Sequence, residues 1–483
     1  MLLSLAACGD SSASSSDAGA PDAAPPPVIN LAIACEDTPE TLYGAVPIDL
    51  PAYDSTHRGD VIRCTRDRYV AAAQLDSVAR TEGYTGPALA SGMTIFRIAF
   101  RTERMTPASG PAPEGFSSAF LLVPDRPRAA GALVVYAHPS VGLADSCAPS
   151  RIDLTASADG WAPVRVPMLA LAGAGWTVVA PDFAGFGYGG APGFSVAEDE
   201  AHSMLDATRA ARNTLGETQT PTKVVMVGHS IGGHAALAAH AYARSYGLAG
   251  ELAGVATFAP FWLTNLAWGA VMHPVGGFTT AAHGYLLEFQ LDYFYSHSEM
   301  YDGPGHGTDL VQPAKRELVK QLVTTQCLDN VAQSITELGA TPQDYYETDA
   351  ITDLGICGIS GDCGGALSQV WEPRWLADRP PLDPVGAPIA IWYGAKDALI
   401  NPGFARCEIE RISGDMGITG STTAVTYCSD ATSIHTGMPI NNVGWVNDWI
   451  AARVGGGAEP TCTAPATPDD GGDPCPGAPP NIP

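Results

Sequence analysis

Short apolar runs alternate with helix-forming segments along most of the chain. The runs at 93–100 and 116–123 predict two antiparallel strands that open a sheet, and the run at 132–137 predicts the first deeply buried strand. Helices and strands then alternate. The predicted elements are helix 166–172, strand 176–180, helix 197–215, strand 254–258, strand 387–393, helix 404–412, strand 423–427 and helix 443–454. This order predicts a doubly wound, mostly parallel α/β sheet.

The most informative stretch is TKVVMVGHSIGGHAALAAHAYA, from Thr222 to Ala243. An apolar strand leads into Ser230, and helix-forming residues follow it without a break. Gly228 and Gly232 flank the serine because a strand-to-helix turn this sharp crowds the backbone. The helix N-terminus beneath the hydroxyl favours developing negative charge. The stretch therefore predicts a nucleophile elbow with Ser230 at its tip; an ordinary glycine-rich turn is the alternative.

A long segment interrupts the predicted sheet between the strands 254–258 and 387–393. It carries aromatic residues, short helical patterns and three cysteines, which predicts an inserted cap. We therefore divide the chain into an N-terminal segment 1–28, a core 29–260 and 386–455, a cap 261–385, and a Pro/Gly-rich tail 456–483.

Composition indicates a globular protein made in an oxidising compartment. The 483 residues are 46% hydrophobic and 16% charged, which excludes disorder for most of the chain. A formal net charge of -26 argues against nucleic acid and anionic membrane surfaces as partners. Eleven cysteines without a CxxC pair favour disulfides over a zinc site.

The N-terminus resembles a lipobox. Leu5, Ala6 and Ala7 precede Cys8, and a Ser/Ala/Pro-rich run to Pro27 follows as a flexible tether. Only seven residues precede Cys8 and none is basic, whereas a signal peptide is longer. Two interpretations remain: the start codon is set too far downstream and Cys8 bears a lipid that attaches the protein to the outer membrane, or Cys8 is the remnant of an ordinary secretion signal. We expect the first.

Removing Cys8 leaves ten cysteines, an even number. Sequence does not determine connectivity, so we pair them by proximity. The expected disulfides are Cys35–Cys64, Cys357–Cys363, Cys407–Cys428, Cys462–Cys475 and, by elimination, Cys147–Cys327.

A serine nucleophile needs an imidazole to take its proton and a carboxylate to orient that imidazole. In α/β-hydrolases the chain order is serine, acid, histidine. His435 fits, because it is the sole histidine after His306 and lies in a loop before the closing helix. For the acid we choose Asp397, which ends the apolar run PIAIWYGAKD. The alternatives are Asp415 and Asp430.

The oxyanion hole needs two backbone N–H groups. Ile231, directly after the nucleophile, is one candidate. The second should follow the strand 132–137, where Pro139 has no N–H to donate, so Ser140 is the candidate and Gly142 the alternative. Asp145 is a possible brace for this loop.

Three ordered motifs carry a family resemblance. They are CAPS at 147–150, VVAPDFAGFG at 178–187 and GHSIGGHAA at 228–236, and GAKD with IHTG extend the match beyond the cap. The chain resembles the secretory lipase family of α/β-hydrolases and its bacterial relatives. The resemblance implies carboxylic ester hydrolysis, no cofactor or metal, and a cap that shapes the acyl site. We expect a monomer acting on a small-molecule or lipid ester.

Two other functions fit the same triad less well. A serine exopeptidase would need an acidic pair in the cap for the substrate amine, and Glu288, Asp292 and Glu299 are the candidates. A noncatalytic surface protein would not need an intact triad. The segments around His273 and at 302–309 have spacing that suits neither zinc nor an EF-hand, so we interpret them as cap loops. Half or more of the following cap aromatics should be core and the rest line an acyl tunnel: Phe261, Trp262, Trp268, Tyr285, Phe289, Tyr293, Phe294 and Tyr295.

Overall fold

A nine-stranded sheet forms the centre of the structure, which is a computed structural model. It describes residues 28–465 except 109, 158–159, 263–267, 270–271, 273–280 and 339–340. The strands are β1 (Val61–Val70), β2 (Met93–Glu103), β3 (Glu114–Pro124), β4 (Leu133–Ala137), β5 (Thr177–Pro181), β6 (Lys223–His229), β7 (Glu251–Phe258), β8 (Ile389–Gly394) and β9 (Val425–Asp430). Their order across the sheet is β1-β2-β3-β5-β4-β6-β7-β8-β9.

The sheet begins antiparallel and continues parallel. The pairs β1–β2, β2–β3 and β3–β5 are antiparallel, and every pair from β5–β4 to β8–β9 is parallel. All residues of β4 and β5 are buried, and both strands are rich in valine. Parallel strands are covered on both faces, so they appear in the sequence as continuous apolar runs. This confirms the predicted mostly parallel α/β sheet.

Helices cover the sheet and form the insertion. They are α1 (Pro39–Leu42), α2 (Ala72–Thr81), α3 (Ala162–Gly173), α4 (Ala197–Leu215), α5 (Ile231–Tyr246), α6 (Ala281–Tyr301), α7 (Arg316–Thr325), α8 (Leu328–Leu338), α9 (Thr348–Ser360), α10 (Ser368–Ala377), α11 (Pro402–Met416) and α12 (Gly437–Gly455). Helix α4 packs against α5, whereas α3 packs against α2 and α12. The elements predicted from the apolar pattern are all present, with ends that differ by at most six residues, the largest difference being at the start of α12.

Helices α6 to α10 lie between β7 and β8, the position predicted for the cap. They share a hydrophobic cluster that includes Tyr293, Trp371 and Trp375, and this cluster also contains Ile231 at the start of α5. The helices therefore pack directly over the elbow. The exact domain boundaries stay a prediction.

Disulfides tie several of these segments together. Cys35–Cys64, Cys147–Cys327 and Cys357–Cys363 form as predicted.

The predicted Cys407–Cys428 disulfide is wrong, because Cys428 bonds Cys462 instead. This also excludes the predicted Cys462–Cys475 bond. The cause is a return of the chain along β9, where the Ser429 N–H donates to the Thr463 carbonyl at 2.7 Å. Pairing cysteines by their distance in the sequence could not predict that the chain comes back to β9. Cys407 is itself disulfide-bonded.

Several predicted features lie outside the described residues, namely Cys8, His273 and Cys475. Within the described part, no helix is both long and apolar enough to cross a bilayer. Nor do those residues contain a group of three or more side chains suited to holding a metal ion. In the loop at 302–309, His306 pairs with Asp309 at 2.7 Å instead.

Candidate functional site

Ser230 stands at the turn between β6 and α5. Its φ of 57° and ψ of -120° place it in a region that residues other than glycine rarely occupy. Its N–H donates to the Phe258 carbonyl at the end of β7, at 2.9 Å. Strain of this kind persists where the surrounding structure enforces it, and it concentrates at functional sites.

The glycines around Ser230 are required by close backbone approach. A Cβ on Gly228 would lie 1.9 Å from the Gly232 carbonyl oxygen, and one on Gly232 would lie 2.2 Å from the Ala137 carbonyl oxygen. No side chain fits at either distance. Glycine is therefore required two residues before and two residues after Ser230, because these positions contact each other and the end of β4.

His435 and Asp397 are in direct contact. The Nδ1 atom of His435 lies 2.7 Å from Oδ2 of Asp397, and the two residues are 9% and 3% exposed. The other oxygen of Asp397 accepts the N–H groups of Leu399 and Ile400 at 2.8 and 2.9 Å. These bonds fix the carboxylate so that one oxygen faces the imidazole.

The two alternative acids have other partners. Asp415 pairs with Arg379 at 3.0 Å. Asp430 accepts hydrogen bonds from Thr432, Ser433 and Asn442, and the hydroxyl and N–H donors around it hold its pKa below the usual value. Asp397 is the candidate that contacts His435.

His229, the residue before the serine, was missed by the sequence analysis. Its ring lies 4.8 Å from that of His435, centroid to centroid, and its Nε2 donates to the His435 carbonyl at 3.1 Å. Burial and the neighbouring His435 hold the pKa of His229 well below its usual value, so the ring is neutral. It positions the backbone of His435. The only feature of the sequence that could have pointed to His229 was its position directly before Ser230.

Ser230 and His435 line two adjoining cavities. The narrow cavity measures about 50 Å³ and is almost entirely apolar. The wide cavity measures about 540 Å³ and includes polar side chains such as Asp329 and Asn330. Three further residues, Ser140, Phe289 and Leu399, line both. The serine hydroxyl therefore faces two spaces of different size and polarity.

Ser140 and Ile231 both line the narrow cavity with Ser230. Ile231 is the first residue of α5, so its N–H has no partner within the helix. Ser140 follows Pro139 in the loop after β4. Both residues thus line the cavity next to Ser230, and their role as oxyanion donors stays a prediction.

Two aspartates, buried Asp182 and exposed Asp145, hold this loop in place. Asp182 accepts the N–H of Ser150 at 2.7 Å and the hydroxyl of Ser118 at 2.6 Å. Burial raises the pKa of Asp182 to about 6. Asp145 accepts the Gly187 N–H at 2.9 Å. The CAPS and VVAPDFAGFG motifs are therefore in contact and brace the loop that carries Ser140.

The cap aromatics divide evenly between lining and core. Phe261, Trp268, Tyr285 and Phe289 line a cavity. Trp262, Tyr293, Phe294 and Tyr295 are buried away from both.

The acidic residues considered for amine binding lie elsewhere. Glu288 and Asp292 are fully buried on α6 and outside the lining of either cavity. Glu299 accepts the N–H groups of Gly305 and Gly307.

Comparison with known proteins agrees with the motifs. Residues 165–278 match the family model for secretory lipase, which confirms the predicted resemblance. The structure is similar to the ligand-bound rice cell wall degrading esterase LipA from Xanthomonas oryzae, with a TM-score of 0.58, 17% identity, and coverage of 78% of this chain and 92% of that one. It is also similar to lipase A of Candida antarctica in its closed state, with a TM-score of 0.60, 16% identity, and coverage of 91% of both chains. No curated protein matches the sequence. The chain has the α/β-hydrolase fold, and its central segment carries the sequence pattern of the secretory lipases.

Proposed function

We propose that this protein is a secreted serine hydrolase that cleaves carboxylic esters through Ser230, His435 and Asp397. The observation that carries the proposal is the 2.7 Å contact between His435 and Asp397 beside the strained Ser230. The secretory lipase match over residues 165–278 supports an ester as the substrate.

In this mechanism Ser230 Oγ attacks the ester carbonyl carbon while His435 takes the hydroxyl proton. Asp397 accepts a hydrogen bond from the Nδ1–H of His435, which keeps the proton on Nδ1, and its charge stabilises the imidazolium that forms. The tetrahedral intermediate collapses when the C–O bond to the alcohol breaks and His435 protonates the leaving oxygen. Water then attacks the acyl carbon while His435 takes its proton; the bond from that carbon to Ser230 Oγ breaks, His435 returns the proton to Oγ, and the carboxylic acid is released.

We assign the oxyanion hole to the N–H groups of Ile231 and Ser140. An oxyanion formed from a carbonyl next to Ser230 would lie at the start of α5, where the helix dipole also favours negative charge. No cofactor or metal enters these steps.

A panel of p-nitrophenyl esters from acetate to palmitate, run beside aminoacyl anilides, tests the reaction class. We expect ester hydrolysis, no anilide cleavage, and loss of more than a thousandfold in rate for Ser230→Ala. Ser245→Ala, an exposed serine on the same helix, is the matched control and should keep wild-type rates. Anilide cleavage in place of ester cleavage would favour the exopeptidase, and an inactive wild type would favour a noncatalytic binding protein.

We also propose that the protein is a monomer held at the cell envelope through a lipid on Cys8. The disulfides support an oxidising compartment. Mass spectrometry of the N-terminal peptide should show a diacylglyceryl group on Cys8, and Cys8→Ser should release the enzyme into the medium. An unmodified Cys8 or a cleavage elsewhere would favour an ordinary secretion signal.

A further inference from the structure

The two cavities at Ser230 share the side chain of Phe289 as part of their walls. Phe289 on α6 lines both, and its ring stacks on Phe194 with the centroids 6.2 Å apart and the planes 26° apart. Leu399 is the other apolar residue that lines both. Phe289 and Leu399 therefore lie at the boundary of the two cavities, and Phe289 is the larger part of this partition.

The narrow cavity is small and its walls are packed. Its volume of about 50 Å³ holds about three to five water-sized groups, since each needs about 10–15 Å³ by this measure. Trp268 contacts Phe261 at 4.8 Å, Phe194 at 6.2 Å and Tyr293 at 4.2 Å between ring centroids. Rings held from several sides leave little freedom to widen the space.

The wide cavity differs in size and in chemistry. At about 540 Å³ it is an order of magnitude larger, and Asp329, Asn330 and Thr436 give it polar groups. The Tyr285 hydroxyl donates to Asp329 at 2.9 Å, which orients that carboxylate on the cavity wall. A polar alcohol portion would find hydrogen-bond partners there and little to bind in the narrow cavity.

From these observations we infer that the enzyme is selective for short acyl chains on a larger, polar alcohol, with Phe289 setting the limit on chain length. This rests on the proposed ester hydrolysis at Ser230. The acyl chain occupies the narrow apolar cavity, and the alcohol occupies the wide cavity. His435 lines both and so reaches the leaving oxygen at their junction.

The chain-length profile tests the partition. With p-nitrophenyl esters of two to sixteen carbons, the wild type should have its highest kcat/KM at four carbons or fewer and lose at least tenfold by eight, because one methylene that a pocket rejects costs about tenfold or more. Phe289→Ala should join the cavities and move the optimum to eight carbons or more, with Phe289→Leu between. Phe294→Leu, a buried cap phenylalanine on the same helix, should leave the profile unchanged.

A wild-type optimum at eight carbons or more would overturn the assignment of the narrow cavity, and an unchanged profile in Phe289→Ala would overturn the role of Phe289. Either result leaves the ester hydrolase intact as long as Ser230→Ala is inactive. Anilide cleavage without ester cleavage would instead contradict the proposed function.

The alcohol side has its own comparison. Monobutyrin, whose leaving alcohol is glycerol, should be hydrolysed with a kcat/KM at least tenfold above that of ethyl butyrate, since the larger and polar alcohol makes hydrogen bonds in the wide cavity. Equal values for the two butyrates would overturn the assignment of the wide cavity.

Discussion

Cys147 and Cys327 are joined by a disulfide although 180 residues separate them, and the bond ties the loop after β4 to the cap. Beside it, the Leu328 N–H donates to the Val141 carbonyl at 3.0 Å. Gly142, with a φ of 91°, allows this approach, because a Cβ there would lie 3.0 Å from the Leu328 nitrogen. The loop that carries Ser140 is therefore positioned by the cap as well as by the sheet.

Removal of this disulfide should reduce activity as well as stability. We expect Cys147→Ala/Cys327→Ala to lose about 2 to 4 kcal/mol of unfolding free energy. Its kcat should also decrease at temperatures where it remains folded, because the loop that holds Ser140 is no longer anchored. Cys357→Ala/Cys363→Ala, which removes a bond inside the cap, is the matched control and should lower stability with little effect on kcat. If both double variants lowered kcat equally, the Cys147–Cys327 disulfide would have no specific role in positioning the loop that carries Ser140.

Asp397→Asn should lower kcat by about 10⁴-fold, since an amide favours the wrong tautomer of His435. The fold should persist, because the amide oxygen still accepts the Leu399 and Ile400 N–H groups. Asp430→Asn is the control: it disturbs a turn next to the site and should reduce stability more than activity. Steady-state kinetics with circular dichroism separate the two effects. Retention of a tenth of the wild-type rate in Asp397→Asn would sink the assignment.

Substitutions at Ser140 test the second oxyanion donor. Ser140→Ala keeps the backbone N–H and should cost little, whereas Ser140→Pro removes it and should cost at least a hundredfold in kcat. Pro139→Gly should leave activity near wild type. If Ser140→Pro stays active on a short ester, the donor lies elsewhere, with Gly142 the next candidate.

Glu408 should make stability depend on pH. It is fully buried, and its carboxyl oxygens accept hydrogen bonds from the backbone N–H of Trp262 at 2.8 Å and from the Tyr393 hydroxyl at 2.9 Å. Burial raises its pKa from 4.5 to about 8. Between these values the folded state keeps a proton that the unfolded state releases, so the contribution of Glu408 to stability decreases as pH rises.

In Glu408→Gln the side chain does not titrate, and its amide oxygen can still accept the backbone N–H of Trp262. Relative to wild type, the variant should therefore gain unfolding free energy by about 1.4 kcal/mol per pH unit across the window. Urea unfolding of both proteins at pH 6, 7 and 8 measures the difference. A difference that does not change with pH would show that Glu408 is ionised when folded.

Strands β2 to β9 and the elbow could be predicted from the sequence alone. Buried parallel strands such as β4 and β6 are continuous apolar runs, and the glycines around Ser230 report a local steric demand. The sequence did not show β1, an edge strand with mixed charged and apolar residues. The elements that local patterns specify were therefore predictable, whereas a half-buried edge strand without a regular apolar pattern was not.

The tertiary structure decided the relationships between distant segments. It distinguished Asp397 from Asp415 and Asp430 by contact with His435, brought His229 into contact with that histidine, and joined Cys428 to Cys462. It also placed Phe289 between two cavities. Each of these contacts joins residues that are far apart in the sequence. The packing of whole helices and strands brings such residues together, so residue type and spacing alone do not predict the contact.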